Sequence, residues 1–226
     1  MTLLFTDRKS DSAYIEMISH GYSLGECTLT RPAESCWHLI IVRQNGRVTP
    51  LMVGPLRASG VVTFPAGAEF LWIKFKLGVF MPHLPLKDLL DFETPLPTAG
   101  SQRFWLKGYA WHLPKADNAE DCVQRLVREE VLLHDPLVEA AINDQPQNVS
   151  PRTLREHFLN ATGLSQVHIR QHLRANQAGN LLAQGFPILD VVDQLGYFDQ
   201  PHLTHALKRF MGRTPTQIVG PLCQLT

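Results

Sequence analysis

The sequence predicts an α+β protein, in which a small β-rich N-terminal sandwich or barrel domain is followed by an all-α C-terminal domain. In the first third of the chain, short apolar runs alternate with glycine, proline and asparagine turns, which is typical of antiparallel sheets. In the last third, apolar residues recur at helical spacing between serine, aspartate, proline and glycine residues. Those residue types start and end helices.

Local signals mark the N-terminal strands. Residues 36–42 (CWHLIIV) form a continuous apolar run, as in a buried strand. The dipeptide Asn45-Gly46 follows, and it favours a tight hairpin turn. Residues 70–77 end in alternation, with Ile73 and Phe75 on one side and lysines on the other, as in a half-buried antiparallel strand. Further short strands are expected at 51–53 and 60–64.

The middle of the chain connects the two predicted domains. Prolines make residues 82–97 a structured loop, and residues 102–112 are expected to form a short aromatic helix. Residues 118–134 predict a longer amphipathic helix, which either serves as a dimer seam or connector or packs on the β-domain. The predicted domains are a β-rich domain at 1–116, a connecting helix at 117–134 and a helical domain at 135–226.

Composition restricts the class of protein. With 226 residues, 44% apolar and 19% charged, the chain suits a globular protein with a real core. No apolar run approaches the ~20 residues of a membrane span, and the N-terminus lacks the apolar segment of a secretory signal. The four cysteines form no CxxC pair, so free thiols in a reducing cytoplasm are expected. They are Cys27, Cys36, Cys122 and Cys223.

The most informative stretch is 187–212, which predicts two short helices joined by a turn. Pro187 suits the start of the first helix, and Gly196 suits its C-terminal cap. Asp199 can cap the second helix by accepting backbone N–H bonds, and Gly212 closes it. Two helices in this arrangement, with amides, imidazoles and cations on the second, are typical of a helix-turn-helix that enters the DNA major groove.

These residues closely resemble the C-terminal signature of AraC/XylS-type transcription regulators. The matching motifs are Gly196 to Leu203, Lys208-Arg209-Phe210, Gly212 to Pro215 and, upstream, Arg152-Thr153-Leu154, Phe158 and Thr162 to Ser165. More loosely, residues 75–97 resemble the sensor-like domain of some such regulators. The resemblance implies a cytoplasmic, nucleoid-associated protein that binds double-stranded promoter DNA. RNA polymerase, a small-molecule effector and a second copy in a homodimer are the further partners it implies; a membrane is not among them.

The resemblance also implies which side chains contact DNA. Glutamine can pair with adenine through two hydrogen bonds, whereas cations near a helix end hold phosphates and fix the register. The candidates for the groove are Gln200, Pro201, His202, Thr204 and His205; those for phosphates are Lys208, Arg209 and Arg213; those of a first helix-turn-helix (135–160) are Arg152, Thr153 and Arg155. The alternative is that all of these are ordinary solvated residues of surface helices.

The first unit departs from the family pattern. Only residues 144–149 separate the helix expected at 136–143 from the next one, which begins after Ser150. Either the helix at 136–143 serves as the supporting helix, or the first unit is incomplete. Glu156 stands where a cation is usual, and a carboxylate near phosphates is repulsive.

Two other functional classes were weighed. A degenerate regulator that acts by protein contact would fit the formal net charge of zero. An enzyme or small-molecule carrier built on the β-domain would need a cluster of acids and histidines or a catalytic motif, and the sequence offers neither. His168 and His172 are four residues apart on a helix but are expected to be surface residues. The sequence therefore predicts no catalytic residue, cofactor or metal.

Overall fold

The computed structural model describes residues 3–219 and divides into a strand-rich N-terminal part and a helical C-terminal part. The strands are β1 (Leu3–Lys9), β2 (Ile15–Ser23), β3 (Cys27–Arg31), β4 (His38–Gln44), β5 (Arg47–Val53), β6 (Gly60–Phe64), β7 (Ala68–Phe75), β8 (Val79–Phe80), β9 (Glu93–Pro95), β10 (Arg103–Leu106), β11 (Tyr109–His112) and β12 (Leu133–His134). The helices are α1 (Ala119–Arg128), α2 (Pro136–Ile142), α3 (Pro151–Thr162), α4 (Gln166–Ala183), α5 (Ile188–Gln194), α6 (Gln200–Met211) and α7 (Pro215–Val219). Cys223 lies outside the described residues. Among the helices of residues 3–219, none is both long and apolar enough to cross a bilayer.

The N-terminal part is a layered antiparallel structure, as the strand pattern predicted. Its main sheet has six strands in the order β1-β2-β7-β4-β5-β9. Strands β3 and β6 pair as a separate ribbon, and the apolar side chains of this ribbon pack on one face of the main sheet. The hairpin β10–β11 and helix α1 contribute side chains to the core on the other face. The fold is therefore α+β with a sandwich-like first half.

Strand β7 shows how the sequence produces this layering. Successive side chains of a strand point to opposite faces, and here both faces are covered. Leu71, Ile73 and Phe75 are each 0% exposed in the main core, while Phe70 and Trp72 face the ribbon. Ile73 and Phe75 lie on one side of the strand, as predicted. The strand ends at Phe75 and both of its faces are covered, so the expected half-buried strand is wrong in that respect.

The helix expected at 102–112 is wrong, because this segment forms the hairpin β10–β11. Phe104 is buried, Trp105 is exposed and Leu106 is buried, which is the period of a strand rather than a helix. Lys107 and Gly108 make the turn with φ of 52° and 78°. The loop expected at 82–97 also contains a short 3-10 helix, Leu86–Leu89, in addition to β9.

Helix α1 packs on the β-rich part, which was one of the two alternatives for this segment. Ala119, Val123 and Leu126 are buried in the main core. The Arg8 guanidinium donates to both carboxylate oxygens of Glu120, and this ion pair holds the pKa of Glu120 near 2. Strand β12 then pairs with β8, so the connection to the helical part is itself part of the N-terminal structure.

Candidate nucleic-acid interface

Helices α5 and α6 form the helix-turn-helix predicted at 187–212. Pro187 directly precedes α5, and Gly196 turns the chain after it with φ of 65°. The carboxylate of Asp199 accepts from the backbone N–H of His202 at 2.7 Å, so it caps α6 as expected. Gly212 ends α6 in the left-handed conformation, φ 69°. These four local predictions are confirmed.

A compact apolar cluster fixes the angle between the two helices. Leu203 and Leu207 of α6 and Val191 of α5 are each 0% exposed. They pack with residues of α4 and of the turn, and the buried members of the cluster are Ala178, Leu182, Val191, Val192, Tyr197, Leu203 and Leu207. Because one face of α6 is held in this way, its opposite face keeps a defined orientation toward solvent.

The solvent face of α6 carries the predicted groove residues. Gln200, Pro201, His202 and His205 are exposed, and Thr204 is half-buried. The backbone N–H of Phe198 donates to Nδ1 of His202 at 3.3 Å, which leaves Nε2 as the donor of the neutral ring. The structure therefore places an amide, two imidazoles and a hydroxyl along one surface near the N-terminal end of α6.

The three predicted phosphate cations lie toward the other end of the helix. Lys208, Arg209 and Arg213 are all exposed. The guanidinium of Arg209 lies 4.9 Å from the ring centroid of Phe210, and Arg209 also lines a cleft against the N-terminal part. Arg174 of α4 lies 4.5 Å from the ring centroid of Tyr197, at the base of the turn. Arg174 is a further cation beside the turn that was not among the predicted contacts.

The first helix-turn-helix unit consists of α2 and α3, with no further helix between them. Ser150 Oγ accepts from the backbone N–H of Thr153 at 3.1 Å and so caps α3 as predicted. Within residues 143–150, all of which the structure describes, the chain forms only turn, bend and irregular backbone. This connection is longer than the ~3–4-residue turn of a helix-turn-helix. Helix α2 packs directly against α3 and occupies the supporting position, which was one of the two alternatives.

The exposed side chains of α3 are partly engaged with each other. The Nε of Arg152 donates to Oε1 of Glu156 at 3.2 Å, across one turn of the helix. The hydroxyls of Thr153 and Ser150 are 2.9 Å apart, so Thr153 belongs to the cap. Arg155 is exposed. Of the three predicted contacts on this helix, Arg155 is the one whose side chain is not engaged in these interactions.

Comparison with known proteins agrees with this geometry. Residues 147–219, which include α3 to α7, match the family model of a helix-turn-helix domain. The chain is also similar, over part of its length, to two proteins named HTH-type transcriptional regulator RipA. The protein from Corynebacterium diphtheriae is 38% identical over 86 residues, and that from Corynebacterium glutamicum is 35% identical over 89 residues. Residues 147–219 therefore match a helix-turn-helix domain.

The matches leave most of those relatives uncovered. Each spans 38% of this chain, but only 25% of the C. diphtheriae protein and 27% of the C. glutamicum protein. A solved structure of ToxT from Vibrio cholerae aligns over 95% of this chain and 97% of its own, with 8% identity and a TM-score of 0.38. The strand-rich N-terminal part lies outside the match to the helix-turn-helix family model.

The helix-turn-helix domain packs on the N-terminal part at α3. Phe158 is 0% exposed and belongs to a cluster with Val138, Ala141, Ala161, Leu164 and Ile169. Leu77, Phe80 and Leu90 of the N-terminal part close this cluster. Gly163 ends α3 with φ of 70°, and a Cβ there would lie 2.9 Å from the backbone of Leu86 and Lys87. The N-terminal part thus covers the side of α3 that α2 leaves open.

Helix α4 makes a second contact with the N-terminal part, through a histidine that was expected to lie at the surface. That expectation is wrong for His172, which is 5% exposed. Its Nε2 accepts from Nδ2 of Asn176 at 3.0 Å, and its Nδ1 lies 2.7 Å from Oγ of Ser35. Burial lowers the pKa of His172 to about 4. His168 is half-buried against Phe210, and within residues 3–219 no group of three or more potential ligands is arranged to hold a metal.

The depressed pKa of His172 predicts acid sensitivity. In the unfolded chain this histidine has its ordinary pKa of 6.5, whereas in the folded protein its pKa is about 4. Between these two pH values the unfolded chain binds a proton that the folded protein does not. The unfolding free energy should therefore fall by about 2–3 kcal/mol from this group as pH drops through that window. Burial also lowers the pKa of His38, His83 and His168. A variant without His172 should therefore still lose unfolding free energy as the pH falls, but less steeply than wild type.

Urea unfolding at pH 7.5, 6.0 and 5.0 measures this contribution. His172→Gln should show a shallower loss of stability toward acid than wild type. Exposed His112 gives the matched control, and His112→Gln should follow the wild-type curve. Equal pH dependence of wild type and His172→Gln would contradict the assignment.

The N-terminal part contains an apolar cavity of about 260 Å³ between the ribbon β3–β6 and the main sheet. Its walls include Ile40, Val42, Leu51, Val62, Phe64, Phe70 and Trp72. Arg31 reaches the same cavity, and its guanidinium pairs with Glu34 and Glu93 at 3.1 and 3.0 Å. The cavity has the apolar lining with a few polar groups that is usual for small-molecule sites, though it is small for one.

Proposed function

We propose that this chain is a sequence-specific transcription regulator that reads double-stranded DNA through α6. The observation that carries the proposal is the orientation of this helix. One face is buried on α4 and α5, while exposed Gln200, His202 and His205 lie in its first half and three exposed cations lie at or just after its other end. A helix held in this way can enter a major groove with its N-terminal residues against base edges. The HTH-type regulators to which the domain is similar support the same function.

The roles of the α6 side chains follow from their chemistry. Gln200 can bond an adenine edge through both amide atoms. His202 and His205 each offer one N–H, and Pro201 and Thr204 offer apolar contact to a thymine methyl. Lys208, Arg209 and Arg213 would hold phosphates, which fixes the register without reading sequence. We expect a guanine contact by His205 to be weaker than one by arginine, because a neutral imidazole donates only one bond.

The first unit is proposed to contribute less than the second. Arg152 and Arg155 would contact phosphates, with Thr153 beside them at the helix start. Glu156 opposes this role in two ways, because it binds Arg152 and adds a negative charge near the phosphates. From residue 150 onward the chain has seven Lys and Arg against four Asp and Glu. That modest excess predicts a shallow dependence of affinity on salt.

We propose that the N-terminal part regulates DNA binding by the helical part. A small, mainly apolar molecule is the effector that the cavity beneath the ribbon would accept, and a homodimer would present two copies of α6 to a palindromic site. The proposed division is a sensing or dimerisation domain at 1–116, a connecting segment at 117–134 and a DNA-binding domain at 135–226. The connecting segment was expected to be one helix, but α1 ends at Arg128 and residues 133–134 form β12. We place the protein in the cytoplasm with its DNA, where it would contact RNA polymerase at a promoter.

Fluorescence anisotropy against promoter duplexes at two salt concentrations tests this function. Specific binding that weakens as salt rises is the expected result. Wild-type protein that binds no duplex at low salt would contradict the proposal. It would favour the alternative of a degenerate regulator that acts by protein contact.

Replacing Glu156 tests the proposed weakness of the first unit. Glu156→Gln frees Arg152 and removes the repulsive charge, so we expect DNA affinity to rise by about two- to tenfold, with a steeper salt dependence. Exposed Glu26 lies in the N-terminal part, and Glu26→Gln changes the net charge of the protein equally. If both variants raise affinity to the same extent, α3 does not face DNA.

A further inference from the structure

The C-terminal end of α6 is capped by the N-terminal part of the chain. The last carbonyls of a helix have no partners within that helix. Here the carbonyls of Arg209 and Phe210 receive donors from residues far away in sequence, and the carbonyl of Lys208, which already accepts from the N–H of Gly212 at 3.1 Å, receives a second one. Oγ of Ser59 donates to the carbonyl of Lys208 at 3.0 Å. The backbone N–H of Ser59 donates to the carbonyl of Arg209 at 2.7 Å, and that of Ala33 to the carbonyl of Phe210 at 2.7 Å.

Both donors stand at one end of the ribbon β3–β6. Arg31 and Gly60 form its terminal residue pair. Ala33 lies two residues after the end of β3, and Ser59 immediately precedes β6. The end of the ribbon and the end of α6 therefore form a single hydrogen-bonded junction, which we call the ribbon seat.

Close packing reinforces the ribbon seat. Ala33, Ala175 and Phe210 form a buried cluster with exposures of 3%, 0% and 2%. A Cβ on Gly212 would lie 2.5 Å from Cγ2 of Thr30 and 3.2 Å from Oγ of Ser59. An additional methyl group at Gly212 would require the Thr30 side chain, the ribbon or the helix to shift.

The opposite end of the same helix carries the proposed reading face. A helix of the length of α6 is about 18 Å long, so its two ends move as one rigid rod. A tilt at the ribbon seat would displace Gln200 and His205 relative to the rest of the domain. Contact with base edges depends on where those side chains lie, whereas retention of the fold does not.

We infer that the ribbon seat positions α6 for DNA reading, with Ser59 as the positioning residue. The inference rests on the proposed function and adds to it a requirement for the N-terminal part of the chain. Affinity for DNA would then depend on a serine that lies 149 residues away from its hydrogen-bond partner Lys208 and has no role in base contact.

A pair of glycine variants separates positioning from general damage. Gly212→Ala forces a Cβ into the ribbon seat. Gly185, just after α4, also has positive φ, at 91°, but a Cβ there would meet nothing within 4 Å. Gly185→Ala therefore imposes the same kind of backbone strain without a steric clash. Hydrogen exchange at the amides of Ala33 and Ser59 reports whether the seat is closed, and anisotropy with a bound duplex reports DNA affinity.

In Gly212→Ala we expect faster hydrogen exchange at the amides of Ala33 and Ser59 than in Gly185→Ala. We also expect Gly212→Ala to bind DNA at least about tenfold more weakly than Gly185→Ala. Ser59→Ala should weaken DNA binding by about two- to fivefold at nearly unchanged Tm. Ser59→Thr, which keeps the hydroxyl, should restore it.

Equal DNA affinity of Gly212→Ala and Gly185→Ala would overturn the inference and leave the proposed function intact. Fast exchange of both amides in the wild-type protein would also overturn it, because the seat would then be open in solution. Wild-type protein that binds no duplex would overturn the proposed function and, with it, this inference.

Discussion

Replacing Gln200 and Lys208 together by alanine is expected to weaken specific DNA binding by about a hundredfold. A two-bond contact to a base edge contributes about 1–3 kcal/mol of discrimination, and a lost phosphate contact weakens binding to every sequence. The two effects differ in kind. Gln200→Ala alone should reduce the preference for the specific duplex over a scrambled one, whereas Lys208→Ala alone should lower the dependence of affinity on salt.

Anisotropy titrations of the single and double variants at two salt concentrations measure both effects. Gln177 lies exposed on α4, so Gln177→Ala is the matched control for Gln200 and should bind as wild type does. The side chains of Gln177 and Gln200 are both at the surface, so Gln177→Ala and Gln200→Ala should unfold at the wild-type temperature. Retention of full specificity by Gln200→Ala would show that α6 does not read the bases.

Truncating Phe158 should cause the largest loss of stability. This side chain is 0% exposed and packs in a cluster that includes Leu77 and Phe80 of the N-terminal part. A buried Phe→Ala substitution costs about 3–5 kcal/mol through lost transfer free energy and a residual cavity. In a chain of this length we expect Tm to fall on the order of 10 °C. The N-terminal part should lose stability together with α3, because its residues form one wall of the cluster.

Calorimetry of Phe158→Ala and Leu159→Ala makes this comparison. Leu159 is the next residue on the same helix and is 41% exposed, so its truncation should lower Tm by only a few degrees. A Phe158→Ala protein whose N-terminal part unfolds at the wild-type temperature would contradict a shared core.

Local sequence signals predicted much of the helical domain. Proline before the first turn, serine or aspartate at a cap and glycine at a left-handed end are decided by the backbone of a few adjacent residues. Ser150, Asp199, Gly196 and Gly212 all act as expected for that reason. Which face of α6 is buried also followed from its own periodicity. The choice of side chains that contact DNA stays a prediction.

Contacts between distant segments could not be predicted in the same way. His172 looked like a surface residue because the helical pattern does not reveal that Ser35 covers it. The ribbon seat joins Ser59 to the end of α6, and no motif marks that serine. Residues 102–112 form a hairpin because Phe104 and Leu106 alternate with exposed residues and Lys107-Gly108 adopts a turn with positive φ.

Selection from a pool of random DNA duplexes by the purified wild-type protein tests the central claim most directly. We expect enrichment of a defined motif, which Gln200→Ala should broaden at a single base position. Sequencing after several rounds of selection measures both outcomes. An unenriched pool, recovered no better than with protein-free beads, would contradict DNA reading by α6.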